Sequence, residues 1–206
     1  MANKKSAKPL VISLVRDQQY DAFGDAANAI VLQKRASWSG NEAEIRQLGA
    51  SDTVGDLLVI AGGTDSSYEN FAKQIEELKP AIGKALKAGT PTLVTGTAIR
   101  AIIDSGIVTE HTYKSVKHSA DDQVTDAGEA IGQVTGFVNT RWEYSFGPFA
   151  IFDNLILTQF AGPVLARNPK LADWMLQKAG LEKGSHEHLN QVDELAQKIV
   201  SRILNV

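Results

Sequence analysis

The sequence predicts an α/β fold built on a doubly wound, mostly parallel sheet, and three observations predict it. Short apolar runs alternate with amphipathic stretches of helical length. One run, Asp56-Leu57-Leu58-Val59-Ile60, is apolar at almost every position, as a strand covered on both faces must be. Three runs end in glycine-containing turns, at Gly62-Gly63, Thr95-Gly96 and Ala161-Gly162.

In order along the chain, Leu10 to Val15 reads as the first strand. Asp25 to Trp38 reads as a helix because Ala29, Ile30, Leu32 and Ala36 recur at helical spacing, and Ala43 to Ile45 as a short strand. The strand 56–60 closes in Ala61-Gly62-Gly63-Thr64-Asp65. A helix from Tyr68 to Ala88 follows, expected to break or kink near Pro80, which lacks an N–H and crowds the preceding turn. Gly89-Thr90-Pro91 ends it, and Thr92 to Val94 begin a buried strand that runs into Gly96. Thr97 to Ile103 is helix-compatible, so residue 95 sits at a strand-to-helix corner. From Gly106 to Tyr144 the periodicity weakens, and Thr112 to Val116 and Ala130 to Val138 read as antiparallel edge strands or an excursion. Leu155 to Phe160 returns as a core strand. A helix from Pro169 to Ala179, with Asn168 as N-cap and Gly180 as its stop, precedes a last helix from about His188 to Leu204.

With 206 residues, 43% of them hydrophobic and 22% charged, the chain can bury one sizeable core. We expect a flexible tail over residues 1–9 and a single domain over 10–206. The net charge of −3 comes from signs mixed along the chain, which excludes nucleic-acid or membrane-surface binding through a basic patch; Lys4, Lys5 and Lys8 form only a short basic tail. Met1 to Pro9 holds no signal-length apolar stretch and Leu10 to Val15 is too short to span a bilayer, so a cytoplasmic location is expected. The absence of cysteine rules out disulfides, thiolate metal sites and thiol catalysis within the chain. No G-x-x-x-x-G-K loop is present, so intrinsic ATP use is not expected. No cofactor is expected.

In doubly wound sheets ligands bind beyond the carboxyl ends of the strands, so the three glycine turns should meet at one crevice. A cysteine at position 95 would be activated by the dipole of the following helix. A threonine there keeps its proton unless a base adjoins it, and reads more simply as a strand residue whose hydroxyl caps the helix. Gly62-Gly63 reads either as a sharp turn or as a place where something approaches the backbone closely. Arg141, Trp142, Glu143 and Tyr144 read as a partner surface or as a salt-bridged loop. His186-Glu187-His188 lacks a third metal ligand at recognisable spacing and reads as a solvated helix terminus, so no metal is expected. His111 and His118 fall in the least periodic region, where His118 is a candidate to approach the crevice from an insertion. Asp121, Asp122 and Asp126 read as solvated charges, and Trp38 as a helix-end packing residue.

A more specific resemblance lies in several blocks. Phe23-Gly24-Asp25-Ala26-Ala27-Asn28-Ala29-Ile30, continuing to Gly40, is one; residues 56–65, 81–96, 136–139 and Gly162-Pro163-Val164 through Asp173 are the others. In order and spacing these resemble the GatD-type glutamine-hydrolysing subunits of lipid II isoglutaminyl synthase, within the cobyric acid synthase-like class I glutamine amidotransferase family. The resemblance covers nearly the whole chain and implies a three-layer, flavodoxin-like fold. It also implies the family's chemistry, in which a cysteine at the corner attacks the glutamine amide, a histidine before the Gly-Pro turn activates it, and ammonia passes to a Mur-ligase-like partner that amidates a peptidoglycan precursor.

At the reacting positions this chain departs from the family. The nucleophile position is Thr95, the elbow's second glycine is Thr97, the glutamine one turn on is Ile99, and the histidine position is Ala161. Gly62, Gly63 and Gly96 remain as an oxyanion or ligand crevice, and the resemblance places the substrate arginine at Arg141. Ile99 and Ala161 would make that crevice more apolar than a glutamine site. The expectation is a catalytically impaired binding or regulatory subunit of a Mur-ligase-like amidating complex, with glutamine or another small molecule as its ligand. An active glutaminase subunit and a solitary small-ligand-binding protein are the alternatives.

Overall fold

The computed structural model describes residues 8–17, 21 and 23–204. Most of the expected tail, residues 1–7, lies outside the described residues; Lys8 and Pro9 lead directly into β1 (Leu10–Arg16). α1 (Ala27–Trp38), β2 (Ala43–Gln47) and β3 (Leu57–Ala61) follow, then a 3-10 turn (Asp65–Ser67) running into α2 (Tyr68–Lys87). β4 (Thr92–Thr95) and α3 (Thr97–Asp104) form the corner. The chain then enters a long hairpin, β5 (Tyr113–Asp126) and β6 (Gln133–Tyr144), and returns through β7 (Phe149–Phe152), β8 (Leu155–Thr158) and β9 (Phe160–Ala161). α4 (Val164–Arg167), α5 (Pro169–Lys178) and α6 (Glu187–Leu204) complete it.

Six strands form one sheet in the order β2-β1-β3-β4-β8-β7, parallel except where β7 pairs antiparallel to β8. Its two faces carry two separate apolar clusters, because side chains alternate along a strand. Leu57, Val59 and Ala61 pack with α1 and α5, while Leu58 and Ile60 pack with α2 and α3. The expected α/β fold, with a mostly parallel central sheet between helical layers, is the one observed. The hairpin forms a second sheet, β5-β6-β9, antiparallel as the sequence allowed.

Several local expectations are corrected. α2 runs unbroken through Pro80, with buried Phe71, Ile75, Leu78 and Ile82 anchoring the helix on both sides of the proline. The expected strand 155–160 is divided: Thr158 pairs with β4 and β7, whereas Phe160 pairs with β6 in the other sheet. Asn168 stands at the N-cap position of α5, yet its side chain does not cap that helix. Its amide instead brackets the backbone of Thr135, accepting from the N–H at 2.9 Å and donating to the carbonyl at 2.8 Å, which ties β6 to α4 and α5. β7 escaped the sequence reading although Asp153-Asn154 marks its turn, with Asp153 at φ 52°.

Candidate functional site

Strand register brings the three glycine turns together. Ala61 lies opposite Thr95, and Thr95 opposite Thr158, so the residues that follow all emerge at one level at the carboxyl edge of the sheet. They border a cleft of about 250 Å³ lined by Gly63, Gly96, Thr97, Ala161, Gln159 and Asp25 on the sheet side. The hairpin forms the other wall with His118, Asn139, Arg141, Trp142 and Tyr144, while Phe23, Thr64 and Asp65 complete the rim.

The hairpin reaches over the sheet because β5 carries a bulge between Ser115 and Ser119, where residues 116–118 face Arg141 alone. His118 sits in that bulge and lines the cleft, with Nε2 2.7 Å from Asn139 Oδ1. Asp65 holds the hairpin in place. Its Oδ1 accepts from Trp142 Nε1 at 3.1 Å, and Arg100 and Arg141 approach it at 3.6 and 3.8 Å. The Arg100 guanidinium also lies over the rings of Tyr68 and Trp142, at 3.1 and 4.6 Å from their centroids. Arg141 through Tyr144 are therefore strand residues rather than a loop; Arg141, Trp142 and Tyr144 border the cleft, and Glu143 pairs with Lys114 at 3.2 Å.

Thr95 does not line the cleft. It is 0% exposed, and its Oγ1 makes no hydrogen bond among the described residues. The expected helix cap is not made: Gly96 occupies the N-cap position of α3 at φ 55°. Ile99 is buried against α2 and so does not make the cleft apolar. Ala161 alone of that pair borders it.

The glycines have internal reasons to be glycine. A Cβ on Gly62 would sit 2.6 Å from the amide nitrogen of Thr97, and one on Gly63 would collide with Asp17. What approaches the Gly62-Gly63 backbone is the elbow itself together with Asp17, just after β1. Nor are the crevice donors free: Gly63 N–H donates to Thr97 Oγ1 at 2.9 Å, and Gly96 N–H donates to the Thr158 carbonyl at 3.0 Å. The Thr97 hydroxyl thus occupies the Gly63 N–H.

Sequence reasoning used Asp25 as a helix start and as part of a resembling block, and gave it no role in the cleft. The residue is 3% exposed and lines the cleft near Thr95 and Gly162. Oδ1 accepts from Gly162 N–H at 2.6 Å, and an added Cβ at Gly96 would stand 3.2 Å from Oδ2. Burial raises its pKa from 3.8 to about 7; the Gly162 hydrogen bond and the nearby Thr95 hydroxyl oppose the rise, and Asp21 adds to it. The Thr95 hydroxyl is thus near enough to favour the carboxylate without reaching full hydrogen-bond geometry. One turn on, Asn28 donates to the Gly162 carbonyl at 3.3 Å and accepts from Leu165 N–H at 2.9 Å, so the start of α1 pins the Gly-Pro turn.

The remaining candidates are peripheral. His186 and His188 contact one another, His188 contacts Trp38, and no cluster of metal-ligating side chains occurs among the described residues. His111 packs against Phe146 and Phe152. Asp121, Asp122 and Asp126 are exposed on β5, Asp122 pairing with Arg167 at 3.0 Å. No described helix is long and apolar enough to cross a membrane.

No protein-family profile matches the chain. The subunit GatD of lipid II isoglutaminyl synthase (glutamine-hydrolysing) from Staphylococcus aureus strain N315 is 21% identical over 233 residues, spanning 95% of this chain and 94% of that protein. A glutamine amidotransferase from Thermotoga maritima superposes with a TM-score of 0.51 at 10% identity, over 97% of this chain and all of its own. A second glutamine amidotransferase gives 0.54 at 15% identity over 82% and 99%. The glutaminase domain of Trypanosoma brucei CTPS, solved with acivicin, gives 0.52 at 10% over 86% and 96%. The chain is similar to GatD in sequence and has the fold of the glutamine amidotransferases.

Proposed function

We propose that this protein is a catalytically silent, GatD-like amidotransferase subunit that keeps a ligand-binding cleft and serves a Mur-ligase-like enzyme of peptidoglycan precursor synthesis as a binding or regulatory partner. The observation that carries the reading is the state of the elbow. Hydrolysis of an amide through an acyl-enzyme requires an accessible nucleophile, a base within reach of it, and donors aimed at the tetrahedral oxygen. Here Thr95 is buried away from the cleft, Ala161 offers a methyl group where a base would stand, and the Gly63 and Gly96 N–H groups are engaged internally. Loss of a nucleophile or base alone removes orders of magnitude in rate. The similarity to GatD over nearly the whole chain supports the subunit role.

The test is ammonia release from glutamine, measured for the purified chain and for the complex recovered from its native cells. We expect a stoichiometric Mur-ligase-like partner and no release above background in either sample. Partner-dependent release that Thr95→Ala abolishes would sink the proposal. A second reading, a solitary small-ligand-binding protein, is favoured by the persistence of a polar-lined cleft where the reacting positions have changed. Recovery of the chain alone would favour it.

A further inference from the structure

We propose that the cleft binds a small molecule ending in a primary ammonium group, and that Asp25 is the residue that selects it. This rests on the reading that the cleft binds without turnover. Asp25 is a buried carboxyl open to the cleft, and its one hydrogen bond at ordinary geometry is from Gly162 N–H. Among the described residues no lysine, arginine or histidine forms an ion pair with it, and the one charged neighbour that acts on it is another carboxylate, Asp21. A buried carboxyl without a cation beside it keeps its proton up to about pH 7 rather than forfeit its hydration as a carboxylate, and a cation at the site would favour the charged form. A ligand ammonium supplies the missing cation together with N–H donors for the free oxygen.

The rest of the cleft suits such a molecule. Phe23, Trp142 and Tyr144 give it aromatic walls against which an alkyl stem can lie. At the rim Arg141 pairs with Asp65, Nε to Oδ2 at 3.8 Å, and its side chain is 60% exposed, which leaves guanidinium donors for a carboxylate at the far end of the ligand. The volume of about 250 Å³ suits a molecule of amino-acid size rather than a nucleotide.

Asp25 must be ionised to hold the ammonium, and it titrates near pH 7, whereas an alkyl amine stays charged to about pH 10. The charged or titratable groups around it are Asp21 from its own loop and, across the cleft, His118 from β5, Arg141 from β6 and Asp65 from the turn after β3. Affinity should therefore rise as pH rises through 7.

The experiment is calorimetric titration of the intact protein at pH 6 and pH 8 with 5-aminopentanoate, glutaramate and pentanoate. These share a five-carbon skeleton that begins in a carboxylate and ends in an ammonium, an amide and a methyl group, so that the first alone carries an ammonium. We expect 5-aminopentanoate to bind at least roughly tenfold more tightly than either other ligand at pH 8, with the preference reduced at pH 6 and lost in Asp25→Asn, whose amide oxygen still accepts from Gly162. Equal binding of 5-aminopentanoate and glutaramate, binding of none of the three, or a preference that survives Asp25→Asn would overturn the inference. If that variant does not fold, the pH comparison on the unaltered protein decides. Ammonia release from glutamine in a parallel sample would refute the silent-cleft reading on its own, whereas its absence together with no preference for 5-aminopentanoate refutes this inference alone.

Discussion

Asp25→Asn should make the protein more stable at alkaline pH and leave it little changed at acid pH. The folded protein holds the Asp25 proton up to about pH 7, while the unfolded chain releases it near 3.8. Between those values the folded state binds more protons than the unfolded state, so stability falls as pH rises through the window. The penalty is absent below about pH 4 and complete above about pH 7. At about 1.36 kcal/mol per tenfold change in proton affinity, the interval corresponds to on the order of 4 kcal/mol, a large share of the ~5–15 kcal/mol that holds a typical domain together. Asparagine cannot ionise but still accepts from Gly162 N–H, so it removes the charge and keeps the contact. The other carboxylates titrate alike in both proteins and cancel in the difference. Urea unfolding at intervals from pH 4.5 to 8.5, followed by tryptophan fluorescence, measures that difference directly. We expect the variant to gain steadily on the unaltered protein through pH 7 and then to level off. A difference that stays flat across the range would refute the reasoning, since it would mean that Asp25 is ionised in the folded state throughout.

Three further outcomes follow from the packing. Thr95→Cys with Ala161→His should release no ammonia from glutamine, because Thr97 still occupies the Gly63 N–H; adding Thr97→Gly should give the first measurable release, and equal rates for the double and triple variants would disprove that role for Thr97. Arg35 is buried and bridges Asp173 at 2.7 Å and Asp193 at 2.8 Å, so Arg35→Met should cost about 3–5 kcal/mol in urea unfolding by stranding those carboxylates; a loss under about 1 kcal/mol would show that Lys183, 2.8 Å from Asp173, suffices. Gly136→Ala would place its Cβ 2.0 Å from Cγ of Phe160 and should cost at least about 1–3 kcal/mol by overpacking; an unchanged thermal midpoint would contradict the close β6–β9 contact.

The strands of the main sheet were legible because their chemistry is local. The buried run 57–61 can only be covered on both faces, and glycine turns mark where each layer ends. The hairpin was less legible because β5 is largely exposed on both sides, so no alternation of apolar and polar residues announces it. Thr95 and Ala161 could be placed from the blocks around them. Asp25 could not be assigned its role, because what makes it unusual is the approach of Gly162 and Gly96 from distant parts of the chain. The signal was nonetheless present in one form: an acidic residue at the entrance of an apolar helix whose first turn contains no other acid. His118 entered the cleft through a bulge, and a bulge is a property of two paired strands that neither strand reveals alone.

If the proposed silence of the cleft holds, this division explains why resemblance and activity separate in this chain. The glycines that make the turns recognisable serve the packing of those turns. Gly62 must pass the elbow at Thr97, Gly63 must clear Asp17, and Gly96 and Gly162 hold φ values of 55° and 84° that side chains rarely adopt. Selection for the fold alone would retain all four, so their presence carries no information about catalysis. On the proposed reading, the positions that carry it are 95, 97 and 161, and their residues act together. The hydroxyl at 97 occupies the Gly63 N–H, the methyl at 161 offers no base, and among the described residues the Asp25 carboxyl is the one ionisable group on the sheet side of the cleft. The function proposed for this chain therefore turns on these three positions and on Asp25.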